Sequence, residues 1–172
     1  MTGFERLWNG WRATYVASVG QDDRTDAERE GSVFTRILAS GASDEEANIV
    51  HRAEHVFAML NAFPYGTGHT LVIPFREVAE LEALSPAETV ELWTVVTDAV
   101  RAVKAAFSPD GVNVGINLGK PAGGSVSEHL HVHVVPRWTG DANFMTAVAN
   151  TRTLPEPLVE TARKVRSAWQ VG

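Results

Sequence analysis

Three histidines stand at alternate positions in the segment SEHLHVHVVPRW, residues 127–138. Successive side chains of a β-strand point to opposite faces, so this spacing places His129, His131 and His133 on one face. The apolar residues between them form the other face, which suits packing against a helix. A buried imidazole without a hydrogen-bond partner costs about 1–3 kcal/mol, so three adjacent ones argue against ordinary core. The spacing therefore predicts a strand with one apolar face and one chemically active face.

Two kinds of site fit three imidazoles on one strand. Imidazole binds zinc, copper and iron, and many catalytic zinc sites have three protein ligands. Alternatively, a neutral imidazole attacks phosphorus while its neighbours bind the phosphate and protonate the leaving group. The flanking sequence favours phosphate chemistry, because the glycine-rich segment GKPAGGS, residues 119–125, can present backbone N–H groups to an anion. Arg137 adds a positive charge close by. A zinc hydrolase that uses the three histidines as ligands stays as an alternative.

The composition predicts one ordinary globular domain spanning residues 1–172. Hydrophobic residues make up 44% of the chain and charged residues 21%. The formal net charge of −6 argues against a nucleic-acid partner, and the lack of a long apolar run argues against a membrane span. With no cysteine, the chain has no disulfide, thiolate zinc site or cysteine nucleophile. The N-terminus does not resemble a signal peptide, so we expect a cytoplasmic protein.

The helix with the clearest sequence signals begins after Ser85. Pro86 suits the first helical position, and Glu88 completes a capping box with Ser85. Apolar residues continue at helical spacing until the segment before Pro109. Three further helices are expected: residues 4–18, a segment capped by Ser43, and about 156–169.

Four segments read as strands that are joined mostly by short turns. They are HVFAMLNAFP (55–64), HTLVIPF (69–75), GVNVGINLG (111–119) and the histidine segment. This pattern favours an antiparallel sheet covered by helices, an α+β fold. If the last two strands pair, Asn117 lies on the histidine face, although a solvated strand face explains it equally well. We expect His51 and His55 to be partly exposed, in or beside a strand.

The segment HLHVHVV fits the His-φ-His-φ-His-φ-φ pattern of the histidine triad (HIT) family, where φ is an apolar residue. A second segment, LNAFPYGTGHTLVIPFR, resembles the family's Asn…Pro-Gly-His-φ-φ-φ-φ-Pro motif. It supplies Asn61, Gly68, His69 and Pro74. The resemblance covers about residues 32–138 and is greatest to the bacterial diadenosine tetraphosphate phosphorylase branch. It implies a HIT-like fold, in which an antiparallel sheet of about five strands joins that of a second copy in a homodimer or higher homo-oligomer.

The resemblance also implies nucleotidyl transfer from a nucleotide or dinucleoside polyphosphate substrate. His131 is then the nucleophile that attacks the α-phosphate, and the backbone carbonyl near His129 holds one of its ring nitrogens. His129 and His133 contact phosphate oxygens, and His69 supports the group from the neighbouring strand. The nucleotidyl-histidine passes to phosphate or to water. From diadenosine tetraphosphate, phosphate gives ATP and ADP, whereas water gives ATP and AMP.

The substrate contacts implied by the family involve residues on several segments. Asn61 matches a ribose contact, and we expect Trp138 to lie on the substrate side. The phosphate contacts are Asn117, Gly124 and Ser125. The nucleophile requires no cofactor, although a divalent cation can accompany the polyphosphate. Two alternatives are a HIT-type hydrolase of dinucleoside polyphosphates or nucleoside phosphoramidates, and a regulatory HIT protein that only binds nucleotides.

The sequence departs from the family pattern at three places. Ser32 and Thr35 stand where many bacterial members carry a Cys-x-x-Cys zinc motif, so we expect no zinc there. His133 stands where galactose-1-phosphate uridylyltransferase relatives have Gln, which argues against that branch. Several hydrolases and phosphoramidases carry Gln and Ser or Thr just before the triad, whereas this chain has SVSE, residues 125–128.

Overall fold

The computed structural model describes residues 30–122, 126–141 and 156–169. Five strands form one antiparallel sheet in the order β1-β2-β3-β5-β4. The strands are β1 (Ile49–Arg52), β2 (Val56–Leu60), β3 (Thr70–Pro74), β4 (Gly111–Ile116) and β5 (Val132–Arg137). The helices are α1 (Val33–Ala39), α2 (Pro86–Phe107) and α3 (Leu158–Ala168). The architecture confirms the predicted α+β fold. The helix expected over residues 4–18, together with Gly124 and Ser125, lies outside the described residues.

Helix α2 begins and ends where the sequence predicts. The Ser85 hydroxyl accepts a hydrogen bond from the Glu88 N–H at 3.2 Å, and the Glu88 carboxylate accepts from the Ser85 N–H at 2.7 Å. Ser108 ends the helix in a left-handed conformation, with φ 47°, directly before Pro109. A two-point hydrogen bond from Arg76 lowers the pKa of Glu88 to about 2. This pair ties the start of α2 to the segment that follows β3.

The sheet is covered on both faces in its middle. Helices α2 and α3 pack on one face, where residues such as Leu92, Val103 and Val165 are fully buried. On the other face Phe34 of α1 packs against a smaller apolar cluster: Ile49, Phe57, Met59, Leu71 and Ile73. Every residue of β2 and β3 is buried as a result. This explains why both strands read as continuous apolar runs rather than alternating ones. No helix among the described ranges is long and apolar enough to cross a membrane.

The histidine segment has the two faces that its spacing predicts. His133 lies in β5, while His129 and His131 come just before the start of that strand. The Phe34 ring of α1 meets the His129 and His131 rings edge-on, with centroid distances of 5.5 and 5.3 Å. The residues that alternate with the histidines join the core beneath α2: Leu130, Val132 and Val134.

The prediction of a helix after Ser43 is wrong, because the structure has a single hydrogen-bonded turn there. The capping chemistry is present, since the Ser43 hydroxyl accepts from the Glu46 N–H and the Glu46 carboxylate accepts from the Ser43 N–H. Asn48 then takes a positive φ of 55° and β1 starts at Ile49, so no second turn forms. A helix that we did not predict, α1, starts instead at the Ser32 cap.

The remaining element predictions agree with the structure to within a few residues. The C-terminal helix expected over about 156–169 is α3, and the three strands expected before the histidine segment are β2, β3 and β4. Each strand is shorter than the apolar pattern that predicts it. His51 lies in β1, where its ring stacks on Trp169 at a centroid distance of 4.8 Å. His55 lies in the turn between β1 and β2, where it is partly exposed.

Candidate active site

The backbone holds the neutral His131 ring in one tautomer. Its Nδ1 atom lies 2.8 Å from the carbonyl oxygen of His129, the contact that the resemblance implies. A carbonyl oxygen only accepts hydrogen bonds, so Nδ1 carries the ring proton and Nε2 keeps its lone pair. Burial lowers the pKa of His131 below its usual value, which keeps the ring neutral at pH 7. The site thus contains a buried imidazole whose Nε2 is chemically suited to act as a nucleophile.

A hydrogen bond from His69 holds neutral His133 in the opposite tautomer to that of His131. The Tyr65 N–H donates to His69 Nδ1 at 3.0 Å, so the proton of His69 sits on Nε2. His69 Nε2 lies 2.9 Å from His133 Nδ1 and donates to it. Neutral His133 therefore carries its own proton on Nε2, and burial lowers the pKa of His133 to about 4. The centroids of the His131 and His133 rings are 4.9 Å apart, so a lone pair and an N–H donor lie side by side.

Asn117 and His69 reach the triad because they directly adjoin β4 and β3, the two strands that flank β5. Leu71 of β3 and Gly115 of β4 are both paired with His133 across the sheet. This pairing brings the Asn117 amide nitrogen to 3.5 Å from His133 Nε2. Both nitrogens carry protons in this arrangement, so the two side chains are in contact without a hydrogen bond. The sequence left open whether Asn117 joins the histidine face, and the structure places it there.

His129 differs from the expectation that it contacts a phosphate oxygen. Its ring is fully buried, and both ring nitrogens have partners inside the protein. Nε2 donates to the carbonyl oxygen of Pro74 at 2.8 Å, and Nδ1 accepts from the Ser32 hydroxyl at 2.6 Å. Neither nitrogen remains for a ligand in this arrangement. The His129 ring is thus a hydrogen-bonded part of the wall behind His131.

Asn61 lies at the base of the turn that delivers His69. The Asn61 side-chain amide nitrogen is 3.4 Å from His69 Nδ1, and its oxygen accepts from the Phe63 N–H at 2.9 Å. Gly68 completes the turn with a positive φ of 79°, and a side chain there would meet the Phe107 ring at 2.8 Å. Glycine is therefore required directly before His69 for both conformational and steric reasons.

Tyr65 is a site residue that we did not predict. Its ring stacks over His133 at a centroid distance of 5.8 Å, contacts His69 at 4.7 Å, and is 49% exposed. The only sequence signal is its place in the turn PYGTGH, four residues before His69. Ser32 and Phe34 of the α1 segment were also missed as neighbours of the triad, because they lie far from it in sequence.

In the described part of the chain, Trp138 lies far from the three histidines. It follows the end of β5, and since a strand rises about 3.3 Å per residue, it lies on the order of 20 Å from His131. Arg137 is at the same end, where it binds the Asp141 carboxylate at 2.6 Å and Asn113 at 2.9 Å. We expected Arg137 to serve the phosphate site, but this pairing uses its guanidinium elsewhere.

The histidines are not arranged as a metal site. Within the described ranges no group of three or more His, Cys, Asp or Glu side chains is placed to hold a metal ion. Both ring nitrogens of His129 are engaged within the protein, and His131 and His133 each have Nδ1 engaged, so the three rings do not offer three free nitrogens to one ion. Ser32 and Thr35 are neutral hydroxyls, which are not among the usual zinc ligands. The geometry thus favours nucleophilic chemistry over the zinc alternative.

Comparison with known proteins identifies the family. The HIT domain model matches residues 42–140. AP-4-A phosphorylase of Mycobacterium tuberculosis is 44% identical over 167 residues, which are 96% of this chain and 84% of that protein. Bis(5'-nucleosyl)-tetraphosphatase [asymmetrical] of Schizosaccharomyces pombe is 37% identical over 55% of this chain and 52% of its own length.

A solved structure agrees with the sequence comparisons. A zinc-bound histidine triad family protein from Mycobacterium smegmatis superimposes with a TM-score of 0.65 at 31% identity. The match covers 81% of this chain and 93% of that one. Fold, paired motifs and comparisons agree, and the chain belongs to the histidine triad family.

Proposed function

We propose that this protein is a nucleotidyltransferase that cleaves diadenosine tetraphosphate with inorganic phosphate. The observation that carries the proposal is His131, a buried neutral imidazole with Nδ1 bound to a carbonyl oxygen and a lone pair on Nε2. The similarity to AP-4-A phosphorylase, which extends over nearly the whole chain, supports the choice of substrate. A protein that only binds nucleotides has no need of a nucleophile fixed in this way.

The proposed reaction has two steps. Nε2 of His131 attacks the α-phosphorus of one adenosine, the bond to the bridging oxygen breaks, and ATP leaves. This step forms an N–P bond between His131 and AMP. A phosphate oxygen then attacks the same phosphorus, the N–P bond breaks, and ADP leaves with the lone pair restored to Nε2. His133, with its proton on Nε2, donates a hydrogen bond to an oxygen of the reacting phosphate, and Asn117 acts beside it.

We propose that the other predicted contacts surround this centre. Gly124 and Ser125 belong to the segment between β4 and β5 and are assigned to the phosphates, as the glycine-rich sequence suggests. Asn61 is assigned to the ribose. His129 acts on His131 rather than on the phosphate, because its ring nitrogens are already engaged. Trp138 follows the end of β5, far from His131, so it is assigned to a distant part of a long substrate.

The experiment that tests the proposal is product analysis with and without phosphate. We expect purified protein to leave diadenosine tetraphosphate nearly intact in phosphate-free buffer, and to produce ATP and ADP in equal amounts when phosphate is added. Liquid chromatography separates the nucleotides, and the His131→Ala variant prepared in parallel controls for contaminating enzymes. Tight binding without turnover in either buffer would instead identify a regulatory protein.

Hydrolysis is the second candidate function. It is favoured by the similarity to the tetraphosphatase of Schizosaccharomyces pombe, which extends over about half of this chain. Water would then take the place of phosphate in the second step and release AMP in place of ADP. Full turnover to ATP and AMP in phosphate-free buffer would establish the hydrolase and contradict the phosphorylase, while leaving the nucleophile assignment unchanged.

We further propose that two copies pair through β4. In the sheet formed by the described residues, this strand is an edge and carries an apolar side chain at the surface, Val114, which is 43% exposed. Unpaired strand edges of this kind favour association with a second chain. We expect light scattering to give the mass of a dimer or a multiple of it, and Val114→Lys to lower that mass. A monomer across the measurable concentration range would contradict the pairing.

A further inference from the structure

The His129 ring is fixed at both nitrogens by parts of the chain outside the triad. The Ser32 hydroxyl, 97 residues away, donates to Nδ1 at 2.6 Å, and Nε2 donates to the Pro74 carbonyl at 2.8 Å. Ser32 and His129 have no exposed surface. A ring held at both nitrogens cannot turn without leaving a buried polar atom unpaired, so its orientation is strongly fixed.

Ser32 is in turn fixed by Glu77. One carboxylate oxygen, Oε2, accepts from the Ser32 N–H at 2.8 Å and from the Thr35 hydroxyl at 2.6 Å. The Ser32 hydroxyl accepts from the Thr35 N–H at 3.1 Å as the cap of α1. Ser32 therefore has a backbone anchor, a helix-capping contact and a hydrogen bond to His129, and its hydroxyl has little freedom to rotate.

These hydrogen bonds lead to the carbonyl oxygen of His129, the atom that holds the proposed nucleophile His131. The carbonyl oxygen of His129 accepts from His131 Nδ1 and so decides which nitrogen of His131 keeps a lone pair. The Leu130 N–H, in the same peptide plane, donates to the Val78 carbonyl at 2.7 Å. The peptide between His129 and Leu130 is thus fixed at one end by the hydrogen bonds of the His129 ring. At the other end it is fixed by the hydrogen bond from Leu130 to Val78, the residue that follows Glu77.

We propose that Ser32 and Glu77 are positioning residues for His131, and that they act through the ring and carbonyl of His129. The inference rests on the proposed function, because positioning matters only if His131 reacts. Neither residue touches the reacting atoms. They fix the direction of one carbonyl and thereby hold His131 with the proton on Nδ1.

The test uses variants that remove or keep single hydrogen bonds. Ser32→Ala and Glu77→Ala remove contacts, whereas Ser32→Thr keeps the hydroxyl and Glu77→Gln keeps an acceptor oxygen. Ser85→Ala is the matched control, because it removes the cap of α2 without contacting the triad. We expect Ser32→Ala and Glu77→Ala each to lower kcat by about 10- to 100-fold with KM unchanged, the size of loss known for hydrogen-bond partners behind metal-ligating histidines. Ser32→Thr and Glu77→Gln should stay near the wild-type kcat.

Nitrogen NMR of the imidazole rings gives a readout that does not depend on activity. In the wild-type protein we expect His131 to show a protonated Nδ1 and an unprotonated Nε2, with its signals assigned by their loss in His131→Ala. In Ser32→Ala, His131 should show a mixture of the two tautomers, with the proton on Nδ1 in some molecules and on Nε2 in others. The inference is overturned if Ser32→Ala keeps the wild-type NMR pattern and the kcat of the Ser85→Ala control, since the Val78 contact alone would then suffice. An active His131→Ala variant would overturn the proposed function instead.

Discussion

Replacement of His131 by alanine lowers the turnover of diadenosine tetraphosphate by about 10⁴- to 10⁶-fold, because it removes the atom that forms the covalent intermediate. The fold should persist, since the ring lies at the edge of the smaller apolar cluster and contacts Phe34 only edge-on. The measurements are kcat from product release and the midpoint of thermal unfolding.

A second histidine variant controls for this result. His55→Ala removes an imidazole at the surface turn between β1 and β2, away from the triad, and should keep wild-type kcat. If His131→Ala retains more than about a tenth of the wild-type kcat, the nucleophile is a different group, because loss of a covalent nucleophile costs far more. Chemistry at the other histidines would then have to be tested in turn.

The second large effect is on pH dependence. Protonation of His131 removes the lone pair of Nε2, so kcat/KM is lost on the acid side of its pKa. Burial, the main cause, lowers the pKa of His131 below the usual value of 6.5, and the hydrogen bond to His129 opposes this only in part. Burial likewise lowers the pKa of His133 to about 4. We therefore expect the acid-side loss of kcat/KM to be centred below pH 6.5, with a decline of about tenfold per pH unit at still lower pH.

Stability changes in the same pH range and has to be measured alongside. The folded-state pKa values of His129, His131 and His133 all lie below the unfolded value. Below about pH 6.5 the unfolded chain binds more protons, so the free energy of unfolding falls by up to about 1.4 kcal/mol per pH unit for each such histidine. Unfolding curves at each pH separate this loss from the loss of activity. A fall in kcat/KM centred at or above 6.5 in fully folded protein would contradict the lowered pKa of His131.

Some parts of the structure follow from short stretches of sequence. Helix α2 is predictable because Ser85, Pro86 and Glu88 carry their capping chemistry within one turn. The two faces of the histidine segment are predictable because a period of two residues has only one geometric meaning in a strand. The meeting of His69 and His133 is predictable from the family resemblance, since each motif carries one of them.

Other parts depend on contacts that no local pattern contains. Ser32 and Ser43 both offer helix-capping chemistry, and only Ser32 starts a helix, because Phe34 then packs against the histidine rings. The link from Ser32 to Glu77 spans 45 residues, so the sequence gives no sign of it. Trp138 is near the triad in sequence yet far from it in space, since the intervening β5 is fully extended.

The chain of contacts from Tyr65 to His69 to His133 limits where protons can travel during catalysis. Because His69 Nδ1 accepts from a backbone N–H, loss of its other proton to His133 would leave an imidazolate, which is inaccessible near neutral pH. His69 therefore cannot supply a proton to His133. The same limit applies to His133, whose only ring proton is on Nε2. His133 therefore stabilises departing ATP by a hydrogen bond and not by proton transfer, and ATP leaves as the anion.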